Sequence, residues 1–180
     1  MPRPLLFLDV DGPLLPFGEP TRGRRADGAG PGAYGGGPGT YGAAPGVYGG
    51  DNPLLRRLDP ALGPRLLALD CDLVWATTWS DEANTTLAPL LGLPPLPVVD
   101  FPEEPTPVPR GVHWKTRALS ERAGHRPFIW LDDEISDMDR TWTTAAHPAP
   151  TLLLRVDPAR GVTEADFRAM GEWLLRLQAG

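Results

Sequence analysis

Short runs of consecutive apolar residues alternate with amphipathic stretches along most of the chain. Leu5-Leu6-Phe7-Leu8 is the first run, and it reads as a strand buried on both faces of a parallel sheet. Further strands are predicted over 72–78, 97–101, 127–131 and 151–156. Residues 52–69 read as one or two short helices interrupted by Pro60 and Pro64. Ser80 and the acids behind it open a helix that stops at Gly92 and Pro94. A polar helix runs from Lys115 to Gly124, and another from about Asp137 to Ala146. Thr163-Glu164-Ala165-Asp166 opens a last helix, with Phe167, Met170, Trp173, Leu174 and Leu177 on one apolar face. Strands alternating with helices predict an α/β fold: a three-layer, doubly wound sandwich around a mostly parallel five-stranded sheet, in a single domain over 1–180.

The pattern dissolves between Pro16 and Asp51. A seven-residue unit repeats there three times, from Pro31, Pro38 and Pro45, and each copy carries one tyrosine: Tyr34, Tyr41 and Tyr48. Gly-rich chain loses much entropy on ordering, and this stretch has little apolar surface to bury in return. Residues 23–50 are therefore expected to form a flexible Gly/Tyr-rich insertion. It is either a neutral expansion or a mobile lid whose tyrosines stack on substrate.

Charge narrows the partners. The net charge is −6 and the pI about 5.0, which argues against a general nucleic-acid binder. No aromatic–basic patch is visible along the sequence to support one. The single cysteine, Cys71, cannot form an internal disulfide and reads as a buried small hydrophobe. No secretory signal and no run of membrane-spanning length is found, so a soluble cytoplasmic protein is expected. Among the 17 Lys and Arg residues only Lys115 is lysine, which suggests a position that needs a compact point charge.

The chemistry begins where the first strand ends. Asp9 and Asp11 are two residues apart in extended chain and so project to one side. The carboxyl ends of strands are where ligands bind in open α/β sheets, and Gly12 lets the backbone turn. Two carboxylates this close repel unless a cation or a shared proton relieves them, and Mg²⁺ is the simplest hard cation for oxygen ligands. Thr77 and Thr78 end the second strand, and Asp132 and Asp133 end the fourth. Trp75 and Trp130 read as core. Trp79 and Trp114 flank Thr77 and Lys115 and are candidates for the pocket wall. His113, His125 and His147 lack metal-ligand spacing and read as surface or capping residues.

The ordered set D-x-D-G at Asp9–Gly12, Thr77, Lys115 and Asp132-Asp133 resembles the four motifs of the haloacid dehalogenase-like (HAD) hydrolase superfamily. The resemblance implies a Mg²⁺-dependent phosphohydrolase acting on a phosphomonoester through an aspartyl-phosphate. Asp9 would be the nucleophile and Asp11 the general acid/base. Thr77, or else Thr78, would bind the phosphoryl group, and Lys115 would offset its charge. Asp9, Asp133 and the backbone carbonyl of Asp11 would hold the metal, with Asp132 and Asp137 in support. Pro13 departs from the usual residue after Gly12, and no folded cap domain is evident, which points to a small-cap or capless member. The expected partner is a small phosphorylated substrate; the sequence leaves the oligomeric state open. The competing readings are a receiver-like signalling domain, a HAD-fold protein without catalysis that binds phosphate or regulates, and a phosphatase of nucleotides or nucleic-acid ends. In a receiver the lysine would follow the acidic groups; here Lys115 precedes Asp132 and Asp133.

Overall fold

Four parallel strands form the sheet: β1 (Leu5–Leu8), β2 (Asp72–Trp75), β3 (Phe128–Asp132) and β4 (Thr151–Arg155), in the order β2-β1-β3-β4. The computed structural model describes residues 2–18, 53–102 and 107–179. The Gly/Tyr-rich segment 23–50 lies outside the described residues. The strands are in register: Leu8 pairs with Trp75 on one side and Leu131 on the other, and Asp132 pairs with Arg155.

All four residues of β1 are buried because both faces of the sheet are covered. Leu6 and Leu8 belong to a core shared with helices α1 (Leu62–Leu67), α2 (Ala88–Leu91) and α5 (Glu164–Ala179). Leu5 and Phe7 face the opposite layer, where Leu119 and Ala123 of α3 (Trp114–Ala123) pack with Trp130. Helix α4 (Asp137–Ala146) begins at a Ser136 capping box closed by Asp139. Thr163 and Asp166 form the matching exchange at the start of α5.

The expected third strand over 97–101 is reduced to one bridge, Val98 to Trp75. Trp75 N donates to Pro97 O at 2.9 Å and Val99 N donates to Trp75 O at 2.8 Å. Pro94, Pro95 and Pro97 have no N–H to donate, so the ladder cannot extend back towards Leu93. The sheet therefore has four strands among the described residues, not five. Ser80 is not the expected cap: its φ is +48°, and an irregular wide turn over Ala83–Leu87 precedes α2. The side chain of Asn84 pins this region. Its Oδ1 accepts from Trp75 Nε1 and Leu96 N, and its Nδ2 donates to Leu96 O.

The chain passes from β1 to β2 on one side, then crosses to β3 and β4 on the other. The crevice between the carboxyl ends of β1 and β3 is thus the switch point of the sheet.

Close approach of α1 to α2 depends on Gly63. A Cβ there would lie 1.7 Å from the Leu91 carbonyl oxygen. Gly63→Ala should lower stability by about 1–3 kcal/mol, the typical cost of overpacking. Urea denaturation measures it, and an unchanged midpoint would contradict the packing described.

Candidate active site at the carboxyl edge

The motif residues lie at the carboxyl edge of the sheet, at or just past the ends of β1, β2 and β3 or, for Lys115, at the start of α3. Asp9 follows β1, and its N–H donates to Leu131 O of β3 at 3.0 Å, which extends the pairing one residue beyond the strand. Lys115 lies in the first turn of α3, whose cap is His113: the ring Nδ1 accepts from Lys115 N. From there Lys115 Nζ meets Asp9 Oδ1 at 3.1 Å and Asp132 Oδ2 at 2.9 Å. Lys115 is 4 % exposed, Asp9 7 % and Asp132 0 %.

Asp132 is filled with donors. Oδ2 accepts from Lys115 Nζ and Trp130 Nε1, and Oδ1 accepts from Glu134 N. Asp133 follows on the outer side, half-buried against Gly12. Gly12 has φ +89°, and a Cβ on it would stand 2.6 Å from Asp133 Cγ. Only glycine meets both demands, the left-handed backbone and the contact. The turn behind it is tight: Gly12 N donates to Leu15 O, while Leu14 N and Leu15 N both donate to Val10 O. Pro13 fits this turn, and its carbonyl accepts from Val162 N.

Asp11 receives a hydrogen bond on Oδ2 from Trp79 Nε1 at 3.1 Å. Thr77, just past β2, is buried, with Oγ1 accepting from Trp79 N; Thr78 is exposed. Asp137 does not join the cluster. It is exposed and pairs with Arg140 on its own helix. The acid of α4 that turns inward is Asp139, two residues later and fully buried. It accepts from His113 N, Thr116 Oγ1, Ser136 N and Ser136 Oγ, tying the start of α3 to the start of α4. The Ser136-x-x-Asp139 spacing of a capping box was the signal for it.

Charge is unbalanced in this cluster. Carboxylate oxygens of Asp9, Asp132 and Asp133 lie within 4.8 Å of one another, against one ammonium. Burial pushes Asp9 up to about 7 despite the pull of Lys115. Burial, aided by the charge of Asp132, pushes Asp133 up to about 6. Burial also raises Asp11, against the Trp79 hydrogen bond. On Lys115 burial opposes the charge, but Asp9 and Asp132 outweigh it and hold the ammonium above its usual range. On Asp139 burial is outweighed by hydrogen bonds from Ser136, Thr116 and His113, and its carboxyl is lowered. A hard divalent cation fits the surplus negative charge and the oxygen donors. With Asp132 already occupied by three donors, Asp9 and Asp133 are the carboxylates with lone pairs to give it.

Lys115→Met should destabilise the fold by about 3–5 kcal/mol at neutral pH, because it strands buried carboxylates. A urea titration checks this, and a loss under about 1 kcal/mol would show that Lys115 is not holding the cluster. A second expectation concerns pH. The folded protein keeps protons on Asp9 and Asp133 that the unfolded chain releases near 3.8. Their contribution to metal-free stability is therefore present at acid pH and lost as pH rises towards 7. Mg²⁺ needs the ionised forms, so the rise in Tm it gives should be larger at about pH 7.5 than at about pH 5. Equal rises at both would contradict the assignment.

A family model described as a HAD domain in Swiss Army Knife RNA repair proteins matches residues 5–167. No curated protein and no solved structure matches the chain. The match spans every strand and the whole carboxylate–lysine cluster, and the chain belongs to that family of HAD domains.

Proposed function

We propose that the protein is a phosphohydrolase that acts through an aspartyl-phosphate on a phosphomonoester. Membership of a HAD family supports a hydrolase of phosphate esters. The observation that carries the finer reading is the Lys115 ammonium set between Asp9 and Asp132 at the switch point of the sheet.

In this reading Asp9 attacks phosphorus, and the bond from phosphorus to the leaving oxygen breaks. Asp11 donates the proton that the leaving oxygen takes up. Its raised pKa suits a group that must carry that proton, and Trp79 fixes its orientation through Oδ2. Asp11 then accepts a proton from water as the water oxygen attacks the phospho-Asp9, which releases phosphate, restores the Asp9 carboxylate and leaves Asp11 protonated for the next turnover. Thr77, buried beside the edge of β2, is the better placed of the two hydroxyls to bind a phosphoryl oxygen. Lys115 favours the ionised form of Asp9 and offsets charge on the phosphate. Asp9 and Asp133, with the Asp11 carbonyl, would hold Mg²⁺, which supplies further charge neutralisation for the phosphoryl group. A phosphorylated RNA end is the substrate class that agrees with the description of the family. The acidic net charge favours a substrate gripped at one terminal phosphate over a long polymer tract.

Asp9→Asn should abolish phosphate release from p-nitrophenyl phosphate while the fold is kept, as circular dichroism would show. Activity surviving that change would remove Asp9 as nucleophile. A phospho-Asp9 that persists in the wild-type protein without turnover would favour the receiver-like reading instead.

A further inference from the structure

A groove of about 410 Å³ runs along the flank of α3, and Trp114, the residue before Lys115, is part of its lining. One wall is α3. The other is the segment that leaves the sheet after the Val98 bridge. Two partly exposed rings, Phe101 and Trp114, meet edge to face at its upper end, with centroids 4.8 Å apart. They are thirteen positions apart in the sequence, so no local pattern announces them. Arg117 and Arg122 line the groove, as do Asp100 and Glu121, and Arg117 is paired with Glu121.

The position of Trp114 is the decisive feature. Lys115 Nζ lies 5.7 Å from the centre of the Trp114 ring and 3.1 Å from Asp9 Oδ1. The same ammonium is therefore within reach of both the Asp9 carboxylate and the aromatic ring. A ligand whose phosphate meets Asp9 and Lys115 can lay the next planar group against Trp114 and Phe101. A nucleotide has that layout, with phosphate and base separated by one sugar. The groove's volume lies within the usual range of small-molecule sites, about 300–1,000 Å³.

We propose that this groove holds the base of the terminal nucleotide of a single-stranded RNA whose end phosphate is hydrolysed. The inference rests on the phosphohydrolase reading and specifies its leaving group. Stacking supplies the affinity, because every base has a π face. Two arginines against two acids leave no net positive track for a phosphate backbone. Recognition is confined to the end of the strand, and salt affects it weakly.

The test compares a terminally phosphorylated RNA trinucleotide with p-nitrophenyl phosphate. Phe101→Ala removes part of the platform, and Ala118→Trp fills the groove from α3. The ratio of kcat/KM for the trinucleotide to that for p-nitrophenyl phosphate should fall about tenfold or more in both variants, the loss expected for one base–aromatic stack. An unchanged ratio in both folded variants would overturn the proposal, as would a steep fall of trinucleotide turnover with salt. Binding without turnover separates this from the catalytic reading. Calorimetry on Asp9→Asn should show the trinucleotide bound, and adding Phe101→Ala should weaken it about tenfold. Binding that is absent, or indifferent to Phe101, would remove the groove whatever the enzyme assays show.

Discussion

A single buried ammonium between two buried carboxylates is the constraint on which the structure depends. Asp132 has no contact with solvent and Asp9 almost none. Burial opposes the charge on Lys115, and Asp9 and Asp132 outweigh it. Three elements are thereby tied at one point: the ends of β1 and β3, and the first turn of α3. The start of α3 is in turn fixed from outside, by the Asp139 carboxylate that takes hydrogen bonds from His113 and Thr116 on either side of Lys115. The ion pair and the capping network hold each other in register.

That arrangement leaves a deliberate surplus of negative charge. Asp132 is satisfied by Lys115, Trp130 and the Glu134 N–H, whereas Asp133 is pressed against the glycine turn with no such set of donors. Burial raises Asp9 and Asp133, the two groups best placed to share a cation. The strain of the cluster is thus concentrated where a metal cation would relieve it, as expected of a catalytic centre more than of a structural ion pair.

Much of this was legible in the sequence, for physical reasons that differ by residue. The β1 run and the D-x-D-G turn are local, since strand periodicity and glycine conformation act over neighbouring residues. Lys115 stood out as the one lysine in an arginine-rich chain. The third strand failed because its prolines remove donors, a backbone effect that the apolar pattern of 97–101 concealed. Asp137 was expected to support the site, but the helix starts at that residue and turns it outward, and Asp139 takes the buried position. Trp130 was legible as core and Trp79 as a candidate for the pocket wall; that their indole N–H groups donate to Asp132 and Asp11 depends on how strands and turns meet. Trp114 was a candidate for the pocket wall, but its pairing with Phe101 has no sequence signature, because it joins a loop after one strand to the helix before another.

The central claim is that the groups around Lys115 grip a phosphoryl group on Asp9. A crystal structure grown with Mg²⁺ and beryllium trifluoride, a mimic of a phosphorylated carboxylate, tests it most directly. The account predicts the beryllium on an Asp9 oxygen, with Lys115 and Thr77 against its fluorides and the metal between Asp9 and Asp133. Beryllium on a different carboxylate, or a metal bound away from Asp133, would contradict it.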